Sequence, residues 1–457
     1  MSLFKDLKKF SKTEKISMHI PGHKGGRGLG VSFFKNASAI DVTELRGTDN
    51  LQNPTGILKD SQDFCAKVFG ADFTYFLTGG SSLGLRAAIL GSTKRGDKLL
   101  VDRTCHRAVI AAITLGGIEP IFISPDFDDK RGLYVGISAD KVSYYLSKHP
   151  DICGAIITSP TYYGICSNIR AIADTCRRLG KFLIVDEAHG AHFSFSKKLP
   201  ATALSQGADI CIQSAHKTLP ALGQASFLHL KSGIIDKNRL ERTLLMIQST
   251  SPSYLLMASL DKSARYMNGA GRLKLSRLIA SIEELKKTVS EKTVLRFADS
   301  DPLSAERDIT RVVVDFSSCE ISGYLAEKLL IDEFNIYPEM ADSRYVVLIP
   351  TAVNTKAEMR QLANDLISIG TRRIKGEPSA TPTPLPDIEL AYPPYTSNDM
   401  PFESVPLSSA KGRISAGILS ACPPGCAVLV PGQRITEKDI DYITRRNIAE
   451  YVDVICE

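Results

Sequence analysis

The chain between residues 73 and 230 is a series of short apolar runs, mostly separated by longer segments with helical spacing. Strands that alternate with helices in this way pair as a largely parallel sheet with helices on both faces. The pattern therefore predicts an α/β fold around a seven-stranded sheet. The predicted strands are Phe73 to Leu77, Lys98 to Val101, Ile121 to Ser124, Cys153 to Thr158, Phe182 to Val185, Asp209 to Gln213 and Ala225 to Leu230.

Two of these strands, consecutive along the chain, end in residues that carry chemistry. The strand that starts at Phe182 runs into Asp186 and His189, and the strand that starts at Asp209 runs into Lys217. In open α/β sheets, ligands bind in the crevice at the carboxyl ends of the strands. We therefore expect one strand end to bring a carboxylate, and the next a lysine, into a common site.

The pair Asp186 and Lys217 fits the chemistry of pyridoxal phosphate (PLP). A lysine can hold PLP as a Schiff base, and a carboxylate facing the pyridine nitrogen keeps that nitrogen protonated. The protonated ring then stabilises a carbanion at the Cα of a substrate. Taken singly, Lys217 also fits a surface lysine at a helix start, and Asp186 also fits a cap.

Two further strand ends supply groups for a phosphate and for an aromatic ring. The first strand leads into Gly80, Ser81 and Ser82 ahead of a helix, where backbone N–H groups, hydroxyls and the helix dipole favour an anion. The GK[ST] pattern of a P-loop is missing, so a nucleoside triphosphate is not implied. The second strand leads to His106, whose flat imidazole either stacks on a cofactor ring or packs against the sheet.

The remaining sequence predicts additional units. A second alternation of helices and strands predicts a smaller α/β unit, made of Arg272 to Val289, Thr310 to Phe316, Arg344 to Ile349 and Lys356 to Ile369. Prolines then cluster between residues 378 and 386, which is typical of a linker. The expected organisation is an N-terminal arm (1–40), a large domain (41–265), a small domain (266–377), a linker (378–389) and a C-terminal domain (390–457).

The composition is that of an ordinary globular protein, with 43% apolar and 23% charged residues among 457. The net charge is only +6, and the basic residues are scattered, so no nucleic-acid partner is expected. The N-terminus lacks the apolar core of a signal peptide, and no run approaches transmembrane length. We therefore expect no membrane partner. Without a secretory signal, the ten scattered cysteines, which include no CxxC pair, indicate reduced thiols in the cytoplasm.

Three patterns have other interpretations. His19 and His23 have a metal-ligand spacing, but the proline and glycine between them prevent a shared helix face. Asp186, His189 and His192 also have a metal-ligand spacing, although the lysine at the adjacent strand argues against a metal there. The letters DEAH at 186–189 occur in helicases too, yet the chain has no GxxxxGK[ST] segment. We therefore expect no metal site and no nucleotide site.

Several blocks of the sequence together resemble one family. IPGHKGG, DVTELRGTDNLQNPTG, DRTCH, DEAHGAHF, QSAHKTLPALGQASFLH and SPSYLLMASLD resemble the PLP-dependent ornithine/lysine/arginine decarboxylases, which have the aminotransferase-like fold (fold type I). The resemblance runs in the same order from about residue 16 to about residue 440. The DEAHG and QSAHK blocks are its most specific parts.

The resemblance implies a role for each matched residue. Lys217 resembles the Schiff-base lysine, Asp186 the partner of the pyridine nitrogen, and His106 the ring-stacking histidine. His189 falls where the family has a residue near the phenolic oxygen of the cofactor. The phosphate-side positions are Ser81, Ser82, Ser214 and His216, beside Gly80 of the predicted cradle.

The resemblance also implies a reaction. Family members remove CO2 from arginine, lysine or ornithine and leave the corresponding amine, a step of polyamine biosynthesis. It further implies a homodimer with shared active sites, because the N-terminal arm is too short for the domain that builds large rings in some relatives. Two alternatives stay open: another fold type I PLP enzyme with a different reaction or a non-basic substrate, and a PLP-binding protein without catalysis.

The sequence departs from the family's usual motifs in its C-terminal part. Ser409, Cys422 and Gln433 stand where relatives have other residues, so substrate contacts are in doubt while the PLP-holding residues are intact. A basic substrate needs a carboxylate for its distal cation, because an unpaired buried charge is costly. The candidate carboxylates are Glu44, Asp49 and Glu339.

Overall fold

The computed structural model describes residues 3–12, 15–299, 305–374, 376–421 and 425–456, so Cys422 lies outside the described residues. The helices are α1 (Leu3–Ser11), α2 (Val31–Lys35), α3 (Ala37–Ile40), α4 (Ile57–Phe69), α5 (Gly80–Ser92), α6 (Arg107–Gly116), α7 (Ala139–Lys148), α8 (Ile169–Arg178), α9 (Ala215–Thr218), α10 (Lys237–Ile247), α11 (Tyr254–Tyr266), α12 (Arg272–Lys292), α13 (Gly323–Phe334), α14 (Lys356–Gly370), α15 (Pro394–Ser397) and α16 (Glu437–Arg445). The strands are β1 (Ile16–Ser17), β2 (Phe73–Leu77), β3 (Lys98–Asp102), β4 (Glu119–Ile123), β5 (Asp126–Asp128), β6 (Leu133–Gly136), β7 (Ile152–Thr158), β8 (Phe182–Asp186), β9 (Ile210–Gln213), β10 (Ser226–Leu230), β11 (Arg296–Phe297), β12 (Val312–Asp315), β13 (Ile336–Tyr337), β14 (Met340–Ala341), β15 (Tyr345–Leu348), β16 (Phe402–Pro406), β17 (Leu419–Ser420), β18 (Ala427–Leu429) and β19 (Tyr451–Ile455).

The seven strands predicted between residues 73 and 230 form a single sheet, in the order β2, β10, β9, β8, β7, β3 and β4. β10 is antiparallel to both neighbours, and the other pairs are parallel. Every residue of β8 and β10 is buried, as expected for apolar strands covered on both faces. The mostly parallel seven-stranded sheet is confirmed. The hairpin of β5 and β6 was not predicted, because its strands are only three and four residues long.

Helix α8 illustrates how the sequence sets the position of a strand end. Asn168 caps the helix by accepting the N–H of Ala171 at 3.1 Å. Ile169, Ile172 and Cys176 lie on one face and are buried. Burial of each isoleucine contributes about 1.5–3 kcal/mol. Because a short turn joins α8 to β8, this packing fixes where the polar end of β8 falls.

The predicted smaller α/β unit contains a four-stranded sheet, ordered β11, β12, β15 and β14. Helices α12 and α14 pack against each other beside it. The four predicted elements of this unit are present, with ends that differ by at most three residues. A π-helical segment, Met267–Gly271, joins α11 to α12. β1 pairs with β13, which brings the N-terminal segment to this unit.

The C-terminal part is attached to the large sheet through a buried arginine. Arg103 follows β3, is 1% exposed, and donates to the backbone oxygens of Pro386, Ala427 and Val428 at 2.9, 2.6 and 3.1 Å. The proline-rich segment 378–389 has no helix or strand. Its Pro386 contact holds it against the end of β3, which brings the C-terminal part over the carboxyl edge of the sheet.

Among the described residues, no helix combines the length and the apolar character needed to span a membrane.

Candidate active site

The carboxyl ends of the central strands open into a cavity of about 790 Å³, a size within the usual range for small-molecule sites. The cavity contains every residue that the sequence assigned to PLP, together with one of the three candidate substrate carboxylates. The predicted residues that line it are Gly80, Ser81, Ser82, His106, Asp186, His189, Ser214, His216, Lys217 and Glu339.

Lys217 lies on the short helix α9, and its Nζ is 3.0 Å from Nε2 of His189. The glycine-rich N-terminal segment supports this helix from behind. Gly22 donates its N–H to the backbone oxygen of His216 at 2.7 Å. A Cβ at Gly22 would lie 2.5 Å from the backbone oxygen of Leu219, so only glycine fits there. The motif IPGHKGG therefore packs against α9, the helix that carries Lys217, and does not line the cavity.

Asp186 is the last residue of β8 and is 4% exposed. Burial raises the pKa of its carboxyl group, while the positive charge of Lys217 lowers it. The next residue, Glu187, points away, because side chains alternate along an extended chain. Glu187 accepts the N–H of Ala203 at 2.8 Å and a hydrogen bond from Gln213 at 2.6 Å. Of these two consecutive acids, only Asp186 faces the cavity.

The phosphate cradle predicted from Gly80, Ser81 and Ser82 is the N-terminus of α5. Gly80 has a φ of +75°, a value that favours glycine. The hydroxyl of Ser81 lies 2.6 Å from that of Ser214 and 3.3 Å from that of Ser226. These hydroxyls and the free backbone N–H groups of a helix N-terminus are the donors that a phosphate needs, so the site fits the phosphate of PLP.

His106 is the N-cap of α6, and its Nδ1 accepts the N–H of Ala108 at 3.1 Å. Burial lowers the pKa of His106 to about 4, so the ring is neutral at physiological pH. Gly425 packs against it: a Cβ there would lie 2.9 Å from Cδ2 of the ring. Arg107 also donates its N–H to the backbone oxygen of Gly425 at 3.0 Å. The C-terminal part therefore holds the imidazole in place.

Glu339 reaches the cavity from the segment between β13 and β14. Its carboxylate accepts the N–H of Ile20 at 2.8 Å and a hydrogen bond from the hydroxyl of Tyr162. The ring of Tyr162 in turn makes an edge contact with His189, with ring centres 4.8 Å apart. Glu339 is therefore linked to the group that contacts Lys217.

The other two candidate carboxylates do not line this cavity. Asp49 accepts the backbone N–H groups of Thr55, Gly56 and Leu58 at 3.0, 2.8 and 2.9 Å, and so caps the start of α4. Glu44 lies in the same loop, outside the cavity of its own chain. For Asp49 the structure thus indicates a structural role.

The histidines of the two sequence patterns with metal-ligand spacing contact other protein groups in the structure. His192 Nε2 contacts Thr310 Oγ1 at 2.9 Å and Asp308 Oδ2 at 3.1 Å. His23 accepts the N–H of Gly26 at 2.8 Å and serves the glycine-rich turn. The described residues contain no group of three or more His, Cys, Asp or Glu side chains arranged to hold a metal ion.

Sequence reasoning missed several residues of the site. Arg311 contacts His189, and Tyr162 contacts Glu339, yet neither stands in a motif. The outer part of the cavity is also lined by Tyr324, Glu327 and Arg446. A polar residue at the edge of an apolar run gives no signal that distinguishes a buried contact from a solvated one. Only Tyr162, in the polar stretch after β7, stood at a strand end where ligands bind.

A lysine and a carboxylate at neighbouring strand ends, with hydroxyls at a helix N-terminus, define a PLP-dependent enzyme of fold type I. Solved structures share this fold. The constitutive lysine decarboxylase of E. coli superposes with a TM-score of 0.78 at 19% identity, over 99% of this chain and 81% of that one. An alanine–glyoxylate aminotransferase from Nostoc superposes with a TM-score of 0.60 at 16% identity, over 78% and 95%.

The chain belongs to the Orn/Lys/Arg decarboxylase family. The family's major-domain model matches residues 1–306, and its C-terminal-domain model matches residues 383–451. An arginine decarboxylase of Bacillus subtilis is 32% identical over 452 residues, 96% of this chain and 92% of that protein. An arginine decarboxylase of Halalkalibacterium halodurans is 32% identical over 458 residues, 98% and 93%. The uncharacterized protein YaaO of B. subtilis is 34% identical over 454 residues, 97% and 93%.

Family membership over nearly the whole chain makes the protein a PLP-dependent amino-acid decarboxylase that acts on a basic amino acid. The altered positions in the C-terminal part do not remove it from the family. Gln433 is buried, where its side chain bonds to the backbone N–H of Val430 at 3.1 Å and to Asp439 at 3.0 Å. Its role is to hold the C-terminal fold, away from the cavity.

Proposed function

We propose that the protein decarboxylates arginine, with PLP attached to Nζ of Lys217. The observation that carries the proposal is the meeting of Lys217, Asp186 and the Ser81–Ser214 hydroxyl pair in one cavity. The choice of arginine is supported by relatives that are named arginine decarboxylases and cover more than nine-tenths of the chain. When bound, PLP supplies a sink for the electron pair that remains when CO2 leaves.

The chain's own residues would hold the cofactor and control its charge. Asp186 would keep a proton on the ring nitrogen, since a carboxylate in a dry site interacts strongly with a cation. Ser81, Ser214 and the start of α5 would donate to the phosphate. His106 would pack on the ring as a neutral imidazole, because its lowered pKa prevents it from adding positive charge.

Substrate selection would fall to carboxylates in the outer part of the cavity. Glu339 has Tyr162 and Ile20 as donors, and a carboxylate has further acceptor sites for a guanidinium. Glu327 lies in the same cavity wall and has its carboxyl pKa raised by burial. A guanidinium between such groups would be paired, which avoids the cost of a buried lone charge.

The test is CO2 release by the full chain with PLP, with arginine, lysine and ornithine supplied in turn. We expect kcat/KM to be highest for arginine. A higher value for lysine or ornithine would refute the choice of arginine and leave the reaction class intact. PLP that binds without CO2 release from any of the three would refute the decarboxylase function itself and favour another PLP reaction.

We also propose a homodimer with shared active sites. Glu44 supports this, because its Oε1 is buried without a hydrogen-bond partner among the described residues and lies outside its own cavity. Light scattering should give twice the 49.8 kDa chain mass. If the partner subunit's Glu44 completes the site, Glu44→Gln and Lys217→Ala are each inactive, and mixing the two restores activity. A fully active Glu44→Gln would contradict that role of Glu44.

A further inference from the structure

A buried arginine stands behind the lysine site. Arg311 immediately precedes β12 and is 3% exposed. Its Nη2 lies 3.1 Å from Nδ1 of His189, and Nε2 of the same imidazole lies 3.0 Å from Nζ of Lys217. A continuous series of contacts therefore runs from Arg311 through His189 to Lys217.

The chemistry of the two partners determines where the imidazole carries its proton. A guanidinium has N–H donors and no acceptor, so Nδ1 of His189 must be the acceptor in the contact with Arg311. Burial and the positive charges of Lys217 and Arg311 lower the pKa of His189 well below its usual value. The ring is therefore neutral, and its one proton must be on Nε2, the nitrogen that faces Lys217.

We propose that Arg311 is a positioning residue that fixes His189 in the tautomer with the proton on Nε2. His189 then presents an N–H, and not a lone pair, to Nζ of Lys217 and to the group that Lys217 carries. A donor at this position disfavours the ammonium form of Lys217 and favours the free amine, which is the nucleophile that bonds to a carbonyl carbon. The inference deepens the proposed function, since it rests on Lys217 as the cofactor lysine.

The surroundings of Arg311 support a role beyond packing. Its Nε and Nη1 are buried without hydrogen-bond partners among the described residues, so the fold keeps an arginine there at an energetic cost. Asp308 balances its charge, and its carboxyl pKa is lowered to about 2 by His192, Arg311 and Thr310 despite burial. Gly164 leaves room for the side chain: a Cβ there would lie 2.7 Å from Cβ of Arg311.

The test reads the tautomer directly by ¹⁵N NMR of the full chain with labelled histidine, both with PLP bound and after its removal. The His189 signals are assigned by comparison with His189→Gln. We expect a protonated Nε2 and an unprotonated Nδ1 in both states. A proton on Nδ1, or a doubly protonated ring, would overturn the proposal even if no variant of Arg311 folds.

Two variants separate positioning from packing. Arg311→Met removes the donor and keeps an apolar side chain of similar length, so Nδ1 of His189 should become protonated in part or in full. Arg311→Lys restores a donor without an acceptor and should return the proton to Nε2. An unchanged tautomer in a folded Arg311→Met would refute the role of Arg311. Because the PLP-free chain gives the same readout, a failure to bind PLP would count against the proposed function alone.

Discussion

The inner and outer walls of the cavity differ in how the chain builds them. The inner wall, defined here as Gly80, Ser81, His106, Asp186, His189, Ser214 and Lys217, consists of residues at the ends of strands of one sheet or a few residues beyond them. The outer wall, defined as Tyr324, Glu327, Glu339, Asp342, Tyr442 and Arg446, comes from the second α/β unit and the C-terminal part.

Under the proposed function, this difference would separate the residues that hold the cofactor from those that select the substrate. Inner-wall groups are held by a buried sheet whose register cannot slip without turning every side chain to the other face. The outer wall is carried by separate elements, whose residues can change without disturbing the sheet. Three positions that depart from the family's usual motifs, Ser409, Cys422 and Gln433, lie in the C-terminal part, whereas the inner-wall residues stand in the motifs on which the resemblance rests.

The largest expected effect is at the centre of the inner wall. Lys217→Ala removes the amine that holds PLP, and we expect turnover to fall by at least about 10³-fold. Borohydride reduction followed by mass spectrometry should locate PLP on Lys217 in the parent chain and find none attached in the variant. PLP fixed to another lysine in the parent chain would contradict the assignment.

A second substitution compares the two adjacent acids at the end of β8. Asp186→Asn removes the charge that faces the cavity, and we expect turnover to fall by about 10²-fold or more. The matched control is Glu187→Gln, which lies away from the cavity and should keep turnover close to that of the parent chain while costing about 1–3 kcal/mol of stability. Equal losses of turnover in both variants would contradict the idea that only the acid facing the cavity, Asp186, takes part in the reaction.

The outer wall should respond through substrate affinity instead. Glu339→Gln removes a charge-assisted partner for the substrate's guanidinium, and we expect KM for arginine to rise about tenfold with little change in kcat. The comparison variant is Glu327→Gln, measured in the same assay. A larger rise in KM for Glu327→Gln would transfer the main cation contact to that residue, and a fall in kcat alone would remove Glu339 from substrate binding.

The smallest effects concern a buried network behind the inner wall. His229 contacts Gln213 at 3.2 Å and Thr74 at 2.8 Å, and Gln213 donates to Glu187 at 2.6 Å. Burial lowers the pKa of His229 to about 3 and raises the pKa of Glu187 to about 7, from ordinary values of 6.5 and 4.5. The contributions of these two groups to stability should therefore change with pH in opposite directions.

Between pH 6.5 and about 3, His229 is protonated in the unfolded chain but not in the folded chain. The contribution of His229 to stability is therefore lost as pH falls from about 6.5 towards 3. Relative to His229→Gln, the parent chain should lose about 1.4 kcal/mol per pH unit in this range. The contribution of Glu187 is complete below pH 4.5 and is lost as pH rises through about 7. Both dependences are checked by urea unfolding of the parent chain, His229→Gln and Glu187→Gln at a series of pH values. If the stability difference from the parent chain changed with pH in the same direction for both variants, the opposed pKa shifts would be contradicted.

Most of the fold was predictable because its signals are local. Apolar runs such as Phe182 to Val185 are long enough to define a strand, and their polar ends lie where ligands bind in parallel sheets. The predicted cofactor residues share one cavity for the same reason, since each stands at a strand end, a few residues beyond one, or at the start of a helix. The β5–β6 hairpin escaped because its strands are too short for a periodic pattern.

The residues that escaped prediction act across the chain. Arg311 is more than a hundred residues from His189, and Tyr162 is 177 residues from Glu339, which accepts its hydrogen bond. Glu44, Asp49 and Glu339 were equal candidates by type, and only the fold separated them. No pattern within one segment records such pairings, because the contact exists only after both segments have packed.

Local sequence patterns were sufficient to predict the succession of strands and helices along the chain, the strand ends that carry Asp186 and Lys217, and the glycines that a tight cradle requires. These follow from side-chain periodicity and backbone freedom, which act over a few residues. Only the folded structure shows which of Glu44, Asp49 and Glu339 lines the cavity, that Arg311 contacts His189, and that Gly425 packs against His106. Those outcomes depend on packing between distant segments, where distance and burial set hydrogen bonds and charge.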